Sequence, residues 1–371
     1  MGTSLSGLGL PERLAGTVDR MAQFVDWDLA AATAKTLGKG GPEISLAEAT
    51  VVVEELRSLT DEAAGHVNAF AKLTPQVAHH PVKVVDRGDW AGVNIDGLQK
   101  VITPLADKLS GGREMNGLSA MIGPRLTGVQ AGTVLAYLSG RVLGQFEVFS
   151  SEPGELMLVA PNIVETERKL DVVPRDFRLW VCLHEVTHRS QFTAVPWMRG
   201  YFLSQVQAFA DAAQAGNDQL ADRLRAALGA LADSVRNPES RTSVLDIVQT
   251  PAQKVIIERL TALMTLLEGH AEFVMDGVGP EVVPSVEEIR GRFNKRRESH
   301  NPIERVVRRL LGIEMKMRQY AEGHKFVQTV VERVGIDDFN RIWTSPETLP
   351  TTDDIADPDA WITRVVGSSP A

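Results

Sequence analysis

The chain of 371 residues has one cysteine, three tyrosines, fewer basic than acidic side chains, and no apolar run of bilayer-spanning length. Each scarcity excludes something. Cys182 alone closes no intrachain disulfide, so no oxidative framework is expected and a reducing cytoplasm fits. Its apolar neighbours on a helical pattern make it a small buried hydrophobe rather than a ligand. With 39 Lys and Arg against 48 Asp and Glu, the net charge is -9, and the clustered cations that grip a phosphate backbone are missing. Nucleic acid is therefore not an expected partner. The one basic segment, residues 290–312, mixes in acids and reads as a solvated helix face. About twenty consecutive apolar residues would be needed to cross a membrane, and the first thirty residues lack the basic start and apolar middle of a secretory signal. Neither membrane insertion nor export by a cleaved signal is expected. No repeat or low-complexity linker interrupts the chain. What remains, 43% hydrophobic, is the composition of a soluble globular protein with one large core or two moderate ones.

Against that background one stretch stands out: "LWVCLHEVTHRSQF", residues 179–192. His184 and His188 are four apart, so a helix presents both imidazoles on one face. Glu185 beside the first would reach a water held by an ion between them, which is the pairing of two histidine ligands with a glutamate base. A chain with 8 His and 48 acidic residues yields such a pattern by chance about 0.02 times. Metal binding, with zinc as the expected ion, is the reading that follows.

Most of the chain has a helical period. Residues 45–73 open on a Ser45-x-x-Glu48 capping box, and further helices are predicted over 133–148, 176–193, 202–235, 252–276 and 312–335, with Gly277 and Gly335 as stops. Residues 81–96 read as a surface loop. Residues 155–164, "ELMLVAPNIV", read as a strand, either an ordinary core strand or the edge that pairs with an extended peptide above a metal. The division expected is a helical N-terminal region, 1–150, and a catalytic domain, 151–371.

Catalytic zinc takes three protein ligands and keeps a fourth position open. A third histidine six residues after His188 would fall at Ala194, so the third ligand must come from elsewhere. "EGHAEFVMD" offers Glu268, His270, Glu272 and Asp276. The three acids share a helix face at spacings of four, whereas His270 points away from it. Glu272 is the first choice for the ligand, with Asp276 as an outer partner that orients a ligating histidine; Glu268 and His270 rank lower.

His184-Glu185-x-x-His188 followed by Glu272-x-x-x-Asp276 resembles the gluzincin arrangement of metallopeptidases, though 84 residues between His188 and Glu272 is a long separation for that class. Together with the segment from Lys316 through "QYAEGHKFVQTVVERVGIDDFNRIW", the run is similar to an actinobacterial zincin-like family named for association with deazaflavin coenzyme biosynthesis. The resemblance implies a mainly α, zincin-like metalloprotease fold with a small β-sheet and an additional helical N-terminal layer. It also implies a zinc-dependent hydrolase, a metallopeptidase or amidase, acting on a peptide or amide. Glu185 would be the general base, and Tyr320 is the first candidate to stabilise the oxyanion, with Arg318 and His324 as alternatives on the same helix. Two rivals stay open: a noncatalytic zinc-stabilised scaffold that binds a partner, and an enzyme for a deazaflavin precursor or its polyglutamate tail. The last would need a basic cleft, for which Arg189, Arg199, Arg308, Arg309 and Arg318 are the candidates.

Overall fold

The computed structural model describes residues 25–38, 40–75, 81–110, 118–214, 250–298 and 313–367. Along the chain run α1 (Trp27–Leu37), α2 (Leu46–Ala71), β1 (Lys83–Val85), α3 (Arg87–Ser110), α4 (Leu118–Ser139), β2 (Gly144–Glu147), β3 (Glu155–Val159), α5 (Ala160–Leu170), α6 (Pro174–Thr193), α7 (Met198–Gln214), α8 (Pro251–Val282), α9 (Val286–Glu298) and α10 (Ile313–Phe339), then short helical turns to Val366. The architecture is mainly helical with one small mixed sheet, as the sequence leads one to expect. Two compact units result: residues 1–40 with 87–141, and residues 41–86 with 142–371. That division differs from a single boundary near 150, because the chain leaves the larger unit after 86 and re-enters it at 142.

In the smaller unit α1 lies against α4. A Cβ at Gly128 or Gly132 would come within 2.4 Å of the Asp26 or Ala30 carbonyl oxygen, so two glycines four apart let the backbones touch. Asp26 caps α1 by accepting from the Leu29 amide at 3.0 Å.

The larger unit is built around α6. Pro174 starts that helix without needing an amide partner, and Asp176 in its first turn accepts hydrogen bonds from the Ser285 amide and hydroxyl at 3.0 and 2.7 Å. α2 covers one side through Val52, Leu56, Leu59, Ala63 and Val67, a helical stripe, and its Ser45–Glu48 capping box is present. Because α6 is enclosed, its charges need partners: buried Arg178 donates from Nε to Glu167 at 2.9 Å and also pairs with Glu55. Truncating a fully buried side chain such as Leu183 or Phe177 would cost about 2–5 kcal/mol.

The sheet order is β1-β3-β2, with β1 parallel and β2 antiparallel to β3. β3 is thus the central strand, fully buried from Leu156 to Val159, and the core-strand reading of its sequence holds rather than the edge. It stops at Val159, because Pro161 sits in the first turn of α5, where a missing amide is harmless. Three other expectations change. Residues 133–148 are not one helix: α4 ends at Ser139 and β2 begins after a turn at Gly140 and Arg141. Residues 81–96 are β1 and the start of α3, not a loop. Gly277 does not stop α8, which continues to a kink at Gly279, where φ is +66°; Gly277 instead gives room to the Phe70 ring. Of the helix expected over 202–235, the part beyond Gln214 lies outside the described residues.

Candidate metal centre

His184 and His188 stand on one face of α6 with rings edge to face, centroids 4.6 Å apart, and their Nε2 atoms face each other at 3.1 Å. α8 brings Glu268 Oε2 to 3.6 Å from each Nε2. These three ligand atoms form the candidate metal site among the described residues. A point equidistant from them lies about 2.0 Å from each, the length of a zinc bond to nitrogen or oxygen, so the donor set fits such an ion. The side chains of His184, His188 and Glu268 stay 26%, 14% and 20% exposed, which leaves the cluster open to solvent on one side.

The position of Glu268 follows from a close helix crossing. A Cβ on Gly269 would lie 2.1 Å from the Gly323 carbonyl carbon, and one on Gly323 would lie 2.1 Å from the Thr265 oxygen. α8 and α10 therefore meet backbone to backbone beside Glu268, and neither glycine can become alanine without separating them.

Glu185 is buried on the same helix. Burial pushes its carboxyl up to about 7, with nearby Glu268 adding to the rise and His188 opposing it. Its side chain occupies space that exists because residue 144 is glycine: a Cβ there would sit 2.6 Å from Glu185 Cγ and 2.7 Å from Cδ. Two residues along β2, on the same face, Phe146 stacks on Phe192 of α6 at 5.7 Å. Burial acts to lower the His188 pKa, but hydrogen bonding and attraction to Glu268, with help from Glu185 and Gln191, raise it to about 9. In the absence of an ion a proton on His188 compensates the carboxylates.

The structure brings Glu268, not Glu272, to the histidine pair. Glu272 acts instead on Arg290 and His324, and Asp276 forms an ion pair with Arg290 and lies 3.0 Å from His324 Nε2, an imidazole whose pKa burial lowers. The outer-partner role expected of Asp276 toward a ligating histidine is thus replaced by one toward His324. The partner of His184 Nδ1 is Met275 Sδ at 3.2 Å, and that of His188 Nδ1 is Gln191 Oε1 at 2.9 Å. His270 is fully buried, and burial holds its pKa down at about 3. Its Nδ1 lies 3.0 Å from Gln191 Nε2, and it is not in the metal cluster. Gln191 and Gly144 were not anticipated; the spacing of three from His188 to Gln191 was the available signal for the first, and nothing local marks the second. Tyr320 and Arg318 fall on α10 where side chains lie outside the described residues, as do Arg308 and Arg309 entirely.

The chain belongs to the zincin-like metallopeptidase family, whose sequence profile matches residues 25–362 and so spans both units. It is similar to a presumed hydrolase with a novel fold from Chloroflexus aurantiacus, known from a crystal structure. The identity is 28% and the TM-score 0.68, covering 93% of this chain and 100% of that one. No curated protein matches it.

Proposed function

We propose that this chain is a zinc-dependent hydrolase of peptide or amide bonds, with His184, His188 and Glu268 holding the ion and Glu185 as general base. The observation that carries the reading is the place of Glu185: a buried acid next to His184 in the chain, outside the ligand cluster, in a seat left open by Gly144. A group poised there can take a proton from water and return it to a leaving amine near neutral pH. When bound, zinc supplies Lewis acidity that activates water and polarises a carbonyl. Gly144 keeps the carboxylate in place by leaving it room, and β2 offers a route for substrate. One edge of β2 pairs with β3, and no strand among the described residues pairs with the other. An extended peptide added there would pass Gly144 and so run beside the base.

The scaffold alternative calls for a closed site, because structural zinc takes four protein ligands. Three solvent-reachable ligands favour the enzyme. A polyglutamate substrate gains no support from the arginines described: Arg199 is tied to the Val148 carbonyl at 2.8 Å, and Arg189 is buried. The test is Glu185→Gln, assayed on a broad peptide and amide library. Zinc content and thermal stability should stay close to wild type while hydrolysis falls at least about a hundredfold. Equal silence of wild type and variant across the library would reject the enzyme reading.

A further inference from the structure

Gln191 is fully buried, one turn beyond His188 on α6, and its amide has three contacts. Nε2 lies 2.8 Å from the Leu267 carbonyl oxygen and 3.0 Å from His270 Nδ1, while Oε1 lies 2.9 Å from His188 Nδ1. The carbonyl decides which end of the amide is which. A backbone carbonyl only accepts, so the nitrogen must face Leu267 and the oxygen must face His188. An amide oxygen also only accepts, so the hydrogen sits on His188 Nδ1. On the neutral ring that a metal ion requires, His188 Nε2 is then the atom with a lone pair to offer, and it is the atom that faces His184 and Glu268.

The second amide hydrogen goes to His270 Nδ1, which puts the hydrogen of that ring on Nε2. That Nε2 is buried without a hydrogen-bond partner among the described residues, on a ring held between Phe339 at 5.7 Å and Trp343 at 5.3 Å. A purely apolar wedge would fill the space between those rings without an unsatisfied N–H. What histidine adds there is the acceptor for Gln191.

We propose that Gln191, held by the Leu267 carbonyl and by His270, is a positioning residue that fixes His188 in the tautomer presenting Nε2 to a metal ion. The proposal rests on the metal reading above. It gives α8 two tasks within four residues: Glu268 is itself a ligand, and its neighbours Leu267 and His270 set, through Gln191, the orientation of a ligand on the facing helix.

The experiment measures zinc affinity of the full chain by chelator competition, the cobalt absorption spectrum, and the melting temperature of the metal-free protein. Gln191→Leu removes the acceptor for His188 and should weaken zinc binding about ten- to a hundredfold, beyond any change in folded fraction, with an altered cobalt spectrum. Gln191→Glu keeps an acceptor for His188 but turns a carboxylate toward the Leu267 carbonyl. It should lower the melting temperature while losing less than about tenfold in zinc affinity. This crossed pattern separates positioning from packing, which would lower affinity in both variants only through the folded fraction. His270→Phe keeps the ring stack and should show a smaller loss of affinity than Gln191→Leu; it carries the test if Gln191→Leu does not fold, and unchanged affinity there would then count against the proposal. Wild-type zinc affinity and an unchanged cobalt spectrum in Gln191→Leu overturn the proposal and leave the metal site standing. A wild-type chain that binds no zinc overturns both.

Discussion

Glu268 and Asp276 stand two turns apart on one face of α8, and they differ in the charge that meets them. At Asp276 the protein supplies its own cation, Arg290 from α9, beside the His324 imidazole of α10, whose pKa burial holds down, and Glu272 one turn earlier acts on the same pair. At Glu268 the groups that arrive are two imidazoles, 3.6 Å away, and Glu268 itself draws a proton onto one of them by helping to raise His188 to about 9. One end of the stripe is compensated by the fold. The other is completed by a proton on His188 or by an ion. Identical spacing of acids therefore says little about their work; the helix that crosses each position decides it.

The sharpest way to break that contrast is to remove each acid in turn. Glu268→Ala should weaken zinc binding by more than about a hundredfold, exceeding the loss typical of an outer partner, whereas Glu272→Ala should lose less than about tenfold. Zinc titration of the two variants would reverse the assignment if Glu272→Ala were the weaker binder.

Proton competition gives the next largest effect. With its pKa at about 9, His188 holds a proton through neutral pH that a metal must displace, so apparent zinc affinity should fall about tenfold per pH unit from 9 toward 7. The same shifts act on the metal-free fold. His188 is raised from 6.5, so its contribution is complete below 6.5 and lost as pH rises through 9; Glu185 is raised from 4.5, so its contribution is complete below 4.5 and lost as pH rises through 7. Melting curves of the chelated protein from pH 5 to 9 should show these losses, and zinc should offset them. A pH-independent zinc affinity over 7–9 would contradict the His188 assignment.

Gly144→Ala tests the proposed role of Glu185 without touching His184, His188 or Glu268. The new Cβ must displace the Glu185 carboxyl, at an overpacking cost of about 1–3 kcal/mol, so hydrolysis should drop roughly tenfold while zinc content is kept. Unchanged turnover would mean that Glu185 needs no exact seat. The smallest effect belongs to the compensated end: Asp276→Asn should lower stability by about 1 kcal/mol, since its partners are partly solvated, and leave zinc affinity within about threefold.

How far the site was readable follows the same division. His184, Glu185 and His188 are legible because their relation is local: one helix, one spacing. The carboxylate was not, since Glu268, Glu272 and Asp276 are equivalent under helical geometry and only the crossing of α8 with α6, α9 and α10 distinguishes them. The stripe did signal that one of the acids faced something unusual. Helices with a local signal were legible for the same reason: α2 by its capping box and α6 by its histidine spacing. The start of α3 was not, because its Gly, Asp and Asn content mimics a loop and what holds it, the buried Trp90 and Ile95, is tertiary. Gly144 carries no local mark at all: its role is a space left for a side chain 41 positions later.

The small sheet has a consequence for the path of the chain. Val85 lies opposite Val159, and Gly144 opposite Leu158, so the end of β1 and the start of β2 emerge at the same rim with only β3 between them. The gap is two strand spacings, about 9.5 Å, which three or four extended residues would bridge. Residues 87–141 thus leave and rejoin the larger unit at one rim of the sheet. Whatever residues 87–141 do between those two points, the order of the strands and the register that sets Gly144 against Glu185 are fixed by β3 alone.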